Sequence, residues 1–295
     1  MLRLSNEAEL DFLVASGALA FDGRGWPWEW PYRWLGKLDP SEFSIVVKTL
    51  TLKPRKGNLR LFKPWGCVRL IPNGVVNAVG LTNPGIEWWV RTCYPRMAKL
   101  GYRTIVSVWP ESAEEAQTMA EMLKPLNIVA VELNASCPNT GHEIEDVESV
   151  VKISEALRGS GHPLIVKLSY NQPYVAIAKA LEGCAEAVHA INSVPWSTVF
   201  PDKQSPLAKL GGGGVSGKLI RPFVRDAVKN LVDQTSLPVI AGGGIFNLED
   251  VTQLSQLGAS AFSLGSLFLK EPSRPNQLVR EWQQSQKEKQ FPTKR

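Results

Sequence analysis

Cysteine is scarce in this chain. There are four in 295 residues, Cys67, Cys93, Cys137 and Cys184, and no two are close enough to make a CxxC pair. That spacing excludes a thiolate cage for zinc or an iron–sulfur cluster, and the low density argues against a disulfide framework. Histidine is scarcer still. His142, His162 and His189 have no metal-ligand spacing and read as structural or surface residues, so no metal is expected. No apolar run reaches the length of a membrane-spanning helix. The small apolar stretch 12–21 follows Glu7, Glu9 and Asp11, where a secretory signal would carry positive charge. A reducing cytoplasm is the expected home. The GxGxxG opening of a dinucleotide fold and the GKS of a nucleotide-hydrolysing loop are also missing. With no internal repeat and no linker, residues 1–295 are expected to form one domain.

The composition itself is that of a soluble globular protein, 44% hydrophobic and 21% charged. The net charge is +5, but the basic residues are scattered apart from 53–56 and the lysine-rich tail 287–295. Such a tail reads as a solvated end and not as a nucleic-acid arm, and the mild positive balance suits anionic small molecules.

Short, nearly continuous apolar runs recur at 12–16, 44–48, 104–109, 128–133, 163–168, 187–191, 237–241 and 259–264. This is how strands of a parallel sheet covered on both faces read. Helical spacing falls between them at 112–126, 147–158, 174–181, 220–234 and 247–257, the last with Asn247 as its cap. Eight strands alternating with helices predict a (β/α)8 TIM barrel, with a doubly wound open sheet as the alternative. Residues 51–77 break the rhythm and predict an inserted antiparallel excursion at the active-site face, with turns at 56–58 and 72–74. The tryptophans at 26, 28, 30 and 34 suggest packing or an interface.

Chemistry in this fold sits at the C-terminal strand ends. There the chain carries Ala15, Ser16 and Gly17, Lys48 and Thr49, Asn134, Lys167, Asn192 and Ser193, Gly243 and Gly244, and Gly265 and Ser266. Packing alone would not bring lysine, asparagine and glycine to one rim so consistently. Glycines after the last two strands suit a phosphate, because backbone N–H groups can approach the anion. The glycine run 211–214 with Ser216 and Gly217 could add donors. A lysine ending an inward-facing strand needs an anionic partner: either a salt bridge across the rim or an electron-rich cofactor. Asn77, Asn134, Asn139 and Asn192 together suit a small planar polar ring. Cys137 lies in a polar loop beyond the fourth strand, where a thiol can react if positive charge lowers its proton affinity.

The segments Lys48–Asn58, Asn77-Ala-Val-Gly-Leu-Thr-Asn-Pro-Gly85, Glu132-Leu-Asn-Ala-Ser-Cys-Pro-Asn139, Ile191–Val194, Gly213–Gly217, 242–245 and 264–267 resemble, in order, the motifs of the dihydroorotate dehydrogenases. The resemblance spans about residues 12 to 270. It implies FMN as cofactor and oxidation of dihydroorotate to orotate in pyrimidine synthesis. It also implies that Asn77, Asn134, Asn139, Asn192 and Ser193 bind the substrate, with Lys48 beside it and the backbone of Val79, Gly80 and Leu81 holding its carboxylate. Ala15, Ser16, Gly17, Lys48, Thr49, Asn134 and Lys167 would contact the flavin, and Gly217, Gly243, Gly244, Gly265 and Ser266 its phosphate. Cys137 would be the catalytic base, with Lys48 assisting. A cysteine base resembles the soluble class 1 enzymes, which work as homodimers or with an electron-transfer partner subunit. Ala135 stands where the family commonly has leucine, and Trp196 is unusual. The weighed alternatives are an enzyme for another dihydropyrimidine, a tRNA-dihydrouridine synthase and a non-catalytic flavin-binding barrel.

Overall fold

The structure, a computed structural model, describes residues 1–60, 63–135 and 146–290. In chain order its strands are β1 (Leu2–Arg3), β2 (Glu9–Leu10), β3 (Phe12–Val14), β4 (Ser44–Val46), β5 (Val68–Ile71), β6 (Gly74–Asn77), β7 (Arg103–Val108), β8 (Ala130–Asn134), β9 (Leu164–Leu168), β10 (Ala187–Ala190), β11 (Val194–Pro195), β12 (Gly214–Gly217), β13 (Val239–Gly242) and β14 (Ala261–Leu264). Eight of them, β3, β4, β7, β8, β9, β10, β13 and β14, are parallel neighbours in sequence order, and β14 returns to β3 to close a barrel. The open-sheet alternative is therefore excluded, and the eight expected strands are found within a few residues of their expected ends.

Alternation along these strands separates two cores. On β8, Val131 and Leu133 face the surrounding helices, while Ala130 joins an inner cluster with Leu13, Val46, Ile105 and Ile165. Leu2, Leu4 and Leu10 join that inner cluster from the antiparallel β1–β2 ribbon, so the N-terminal end of the barrel is stoppered by leucine. The ribbon was not expected from the sequence. The helices Ala113–Leu123, Val147–Arg158 and Leu248–Gln256 begin at side-chain caps Ser112, Asp146 and Asn247, which satisfy otherwise orphaned N–H groups. The C-terminal helix Pro275–Gln290 seals the β14 side by packing Trp282 edge-on against Phe262.

The excursion is larger than predicted. Strands β5 and β6 form the expected hairpin, with Asn73 at φ +57 in its turn, but β12 and β11 extend it into a four-stranded antiparallel sheet ordered β11-β12-β6-β5. The glycine-rich 214–217 segment, read above as a donor loop, is thus a strand. Gly217 (φ +92) has no room for a side chain: a Cβ there would lie 2.8 Å from the Cα of Gly74 on the paired strand. No helix among the described residues is long and apolar enough to cross a membrane.

Candidate active site at the barrel mouth

The polar residues at the C-terminal strand ends converge on one mouth. Thr49 is the hub of a small network. Its backbone N–H donates to Ser16 Oγ (3.0 Å), its hydroxyl lies 3.0 Å from both Ser16 Oγ and Ser107 Oγ, and Asn134 Nδ2 donates to it at 3.1 Å. The hydroxyls fix the Asn134 amide and with it the end of β8. Ser107, missed in the sequence reading, is legible afterwards: two residues beyond inward-facing Ile105 on β7, it shares that face. Lys48 and Lys167 are buried, with only 8% and 7% of their surface exposed, and Lys48 Nζ sits 5.8 Å over the Phe21 ring. Gly17 leaves space beside Lys48, whose Cγ would lie 3.5 Å from a Cβ at that position.

Across the mouth, the antiparallel sheet brings in Asn77, whose amide donates to Ser193 Oγ and to the Gly214 carbonyl, both at 3.4 Å. Ser193 Oγ is 3.1 Å from Ser216 Oγ, and the Ser193 N–H donates to Asn192 Oδ1 at 2.9 Å. The turn after β6 is shaped by neighbours to which the sequence reading gave no site role. Asn58 donates from its side chain to the Ala78 carbonyl and from its backbone to the Val79 carbonyl, both at 2.8 Å, and Thr82 Oγ1 donates to Val79 at 3.0 Å. Gly80 and Leu81 both have positive φ. Among the described residues, no backbone carbonyl accepts from the N–H groups of Val79, Gly80 or Leu81. A turn with donors left over suits a carboxylate.

The same holds behind β13 and β14. Among the described residues, no backbone carbonyl accepts from the N–H groups of Gly243, Gly244 or Gly265. Gly243 (φ +118) and Gly244 (φ +72) lie in the left-handed half of conformational space, and a Cβ at Gly244 would meet Arg221 Cγ at 2.5 Å. Arg221 donates from Nε to the Gly244 carbonyl (2.8 Å) and pairs with Asp250 (2.5 Å), which also accepts from the backbone of Phe246 and Asn247. Geometry requires glycine at 243 and 244, and backbone donors placed this way suit a phosphate.

Below the mouth, His189 Nδ1 donates to Glu132 Oε2 at 2.8 Å, with both side chains only 1% exposed. The structural reading of His189 is correct, although its carboxylate partner was not foreseen. Trp196 donates from its indole to the Lys203 carbonyl (2.6 Å) and packs on Phe200, which ties it to the loop after β11. Trp26 borders the mouth, stacked on Trp28 and donating from its indole to the Gly17 carbonyl at 2.9 Å. Cys137 and Asn139 lie outside the described residues, in the segment that follows Ala135 at the end of β8. The other three thiols are poor bases: burial pushes Cys93 up to about 12 and raises Cys67 and Cys184 as well. An open hollow lined by Gln117, Thr118, Glu121 and Met122 on an outer helix holds no converging chemistry and is not the site. Among the described residues, no group of three or more His, Cys, Asp or Glu could hold a metal ion.

Comparison with known proteins points to one family. The model of the family described as dihydroorotate dehydrogenase matches residues 33–285. The chain is similar to a protein of Desulforudis audaxviator named dihydroorotate dehydrogenase B (NAD(+)), catalytic subunit, with 34% identity over 268 residues, covering 88% of this chain and 83% of that protein. Proteins of the same name are similar in Bacteroides thetaiotaomicron, at 33% over 240 residues (78% and 77% covered), and in Maridesulfovibrio salexigens, at 32% over 232 residues (76% and 74%).

Proposed function

The chain belongs to the dihydroorotate dehydrogenase family, and on that premise we propose that it oxidises (S)-dihydroorotate to orotate in pyrimidine biosynthesis with FMN as its flavin. One observation carries the reading: two buried lysines, a set of amides and two groups of backbone donors that no described backbone carbonyl accepts from lie at the C-terminal strand ends and the sheet above them. Planar ring, carboxylate and phosphate each meet suitable partners there. The glycines at 217, 243, 244 and 265 with Ser266 would hold the phosphate. Ala15, Ser16, Gly17, Thr49, Asn134 and Lys167 would line the isoalloxazine, with Lys48 between flavin and substrate.

Asn77, Asn134, Asn139, Asn192 and Ser193 would fix the substrate ring, and the N–H groups of Val79, Gly80 and Leu81 would take its carboxylate. The bound flavin supplies a hydride acceptor. Cys137, as thiolate, takes the proton from the ring carbon beside the carbonyl, so that one proton and one hydride leave and the ring gains its double bond. Lys48 places positive charge where the thiolate and the developing enolate need it. Residues 1–295 act as one domain in the cytoplasm. The curated relatives are named catalytic subunits, which supports a partner subunit that takes the electrons, and a homodimer of the barrel is its core.

The test is the visible spectrum of the purified protein before and after anaerobic dihydroorotate. A yellow protein that bleaches is expected, and Cys137→Ala should slow bleaching by about 10²–10⁴-fold, the usual scale for losing a positioned base. A yellow protein that does not bleach would move the substrate to another dihydropyrimidine. A normal rate in Cys137→Ala would remove the base assignment.

A further inference from the structure

Strand β9 carries Lys167 between Glu132 on β8 and His189 on β10, and the register aligns Lys167 with Asn134 on one side and His189 on the other. Glu132 itself pairs with Ile165, so the 2.8 Å bond from His189 Nδ1 to Glu132 Oε2 crosses the inner face of β9 between Ile165 and Lys167. The bridge has been given room: a Cβ at Gly242, on the next strand, would lie 2.6 Å from His189 Nε2. Glu132 Oε1 is fully buried and accepts no hydrogen bond among the described residues. A carboxylate this deep needs a positive charge near it. His189 does not supply one, because burial depresses its proton affinity more than Glu132 raises it. Burial likewise pushes the Glu132 carboxyl up, but the His189 bond, the Lys167 charge and Ser107 together hold it below the ordinary value. The bridge is thus an anion with a neutral donor, and Lys167 is the cation whose charge acts on both members.

We propose that Glu132, braced by His189, is a positioning residue for Lys167: it keeps the ammonium charged and fixed at the barrel mouth. The inference rests on the reading above only for what Lys167 faces there, the flavin. Among the described residues, the titratable groups facing this level of the barrel are Lys48 after β4, Glu132, Lys167 and His189. β7, β13 and β14 contribute Ser107, Gly242 and Ser263.

The experiment is an NMR titration of the lysine ε-methylenes in the protein as purified, with Lys167 assigned by its loss in Lys167→Met. In Glu132→Gln, which keeps the shape but not the charge, Lys167 should hold its proton at least about tenfold more weakly, since a buried ammonium without its counter-ion neutralises. Glu132→Asp, which keeps the charge, should stay close to the parent protein. His189→Leu should move in the same direction as Glu132→Gln and serves if that variant does not fold. An unchanged Lys167 titration in either variant would overturn the proposal and leave the pair as packing. The readout does not need flavin. A colourless protein with the expected shift would sink the flavin reading and keep the bridge, and a yellow protein without the shift would do the reverse.

Discussion

Glu29 is a carboxyl with almost no water around it. It is 1% exposed, accepts the Trp26 N–H at 2.7 Å and holds the start of the tryptophan-rich segment. Burial pushes its proton affinity from the ordinary 4.5 up to about 8, against the opposing pull of the Trp26 bond and Arg33. A raised carboxyl stabilises the fold fully below the unfolded value. That contribution falls as pH rises from 4.5 and is gone above about 8. Glu29→Gln keeps the acceptor and cannot ionise. Its melting temperature should match the parent below pH 4.5 and exceed it by about 10 °C above pH 8, at roughly 1.4 kcal/mol per pKa unit and 2–4 °C per kcal/mol for a large domain. Parallel melting curves across that range would show that Glu29 does not titrate there. The cost is local: a Cβ at Gly25 (φ +81) would lie against the Glu29 carboxylate, so the turn and the buried acid depend on each other.

At the scale of elements, the join between the helix Arg221–Gln234 and the loop after β13 is made by one guanidinium. Arg221 ties the Gly244 carbonyl to Asp250, itself half of the capping box that starts the next helix. Charge-assisted bonds of this kind are worth about 1.5–3 kcal/mol each. Arg221→Met should therefore loosen the glycine donors and weaken flavin retention roughly tenfold or more, measured as flavin fluorescence released on dilution; unchanged retention would mean the loop is held by packing alone. The barrel strands were legible because apolar runs of four to six residues, punctuated by helical spacing, leave little choice of fold. The mouth residues Asn134 and Lys167 were legible because strands alternate, and a polar residue at an inward strand end has nowhere else to go. The sheet above the mouth was only half legible. Its hairpin is local, but β6 pairs with β12 about 140 residues later, and glycines in an extended strand look like glycines in a turn. Glu132 and His189 were given no joint role because each sits singly in an apolar run, and only the closed barrel brings β8 and β10 to either side of β9. The short helices Ile86–Thr92 and Tyr94–Lys99 went unread because the sequence breaks their periodicity at the join, Cys93.

Among the described residues, the barrel is filled at one end and carries its polar residues at the other. Leucines from the β1–β2 ribbon fill the N-terminal end of the barrel, helices cover its wall, and the antiparallel sheet leans over the C-terminal end. On the proposed function, substrate and product share that end, and both would present a carboxylate to the turn at 79–81. Orotate should therefore slow the anaerobic bleaching of the flavin by dihydroorotate, and excess dihydroorotate should relieve it; bleaching that orotate cannot slow would remove the shared turn. The leucine stopper thus has a bearing on traffic: with the rear filled, exchange with solvent is left to the end where the polar strand ends lie.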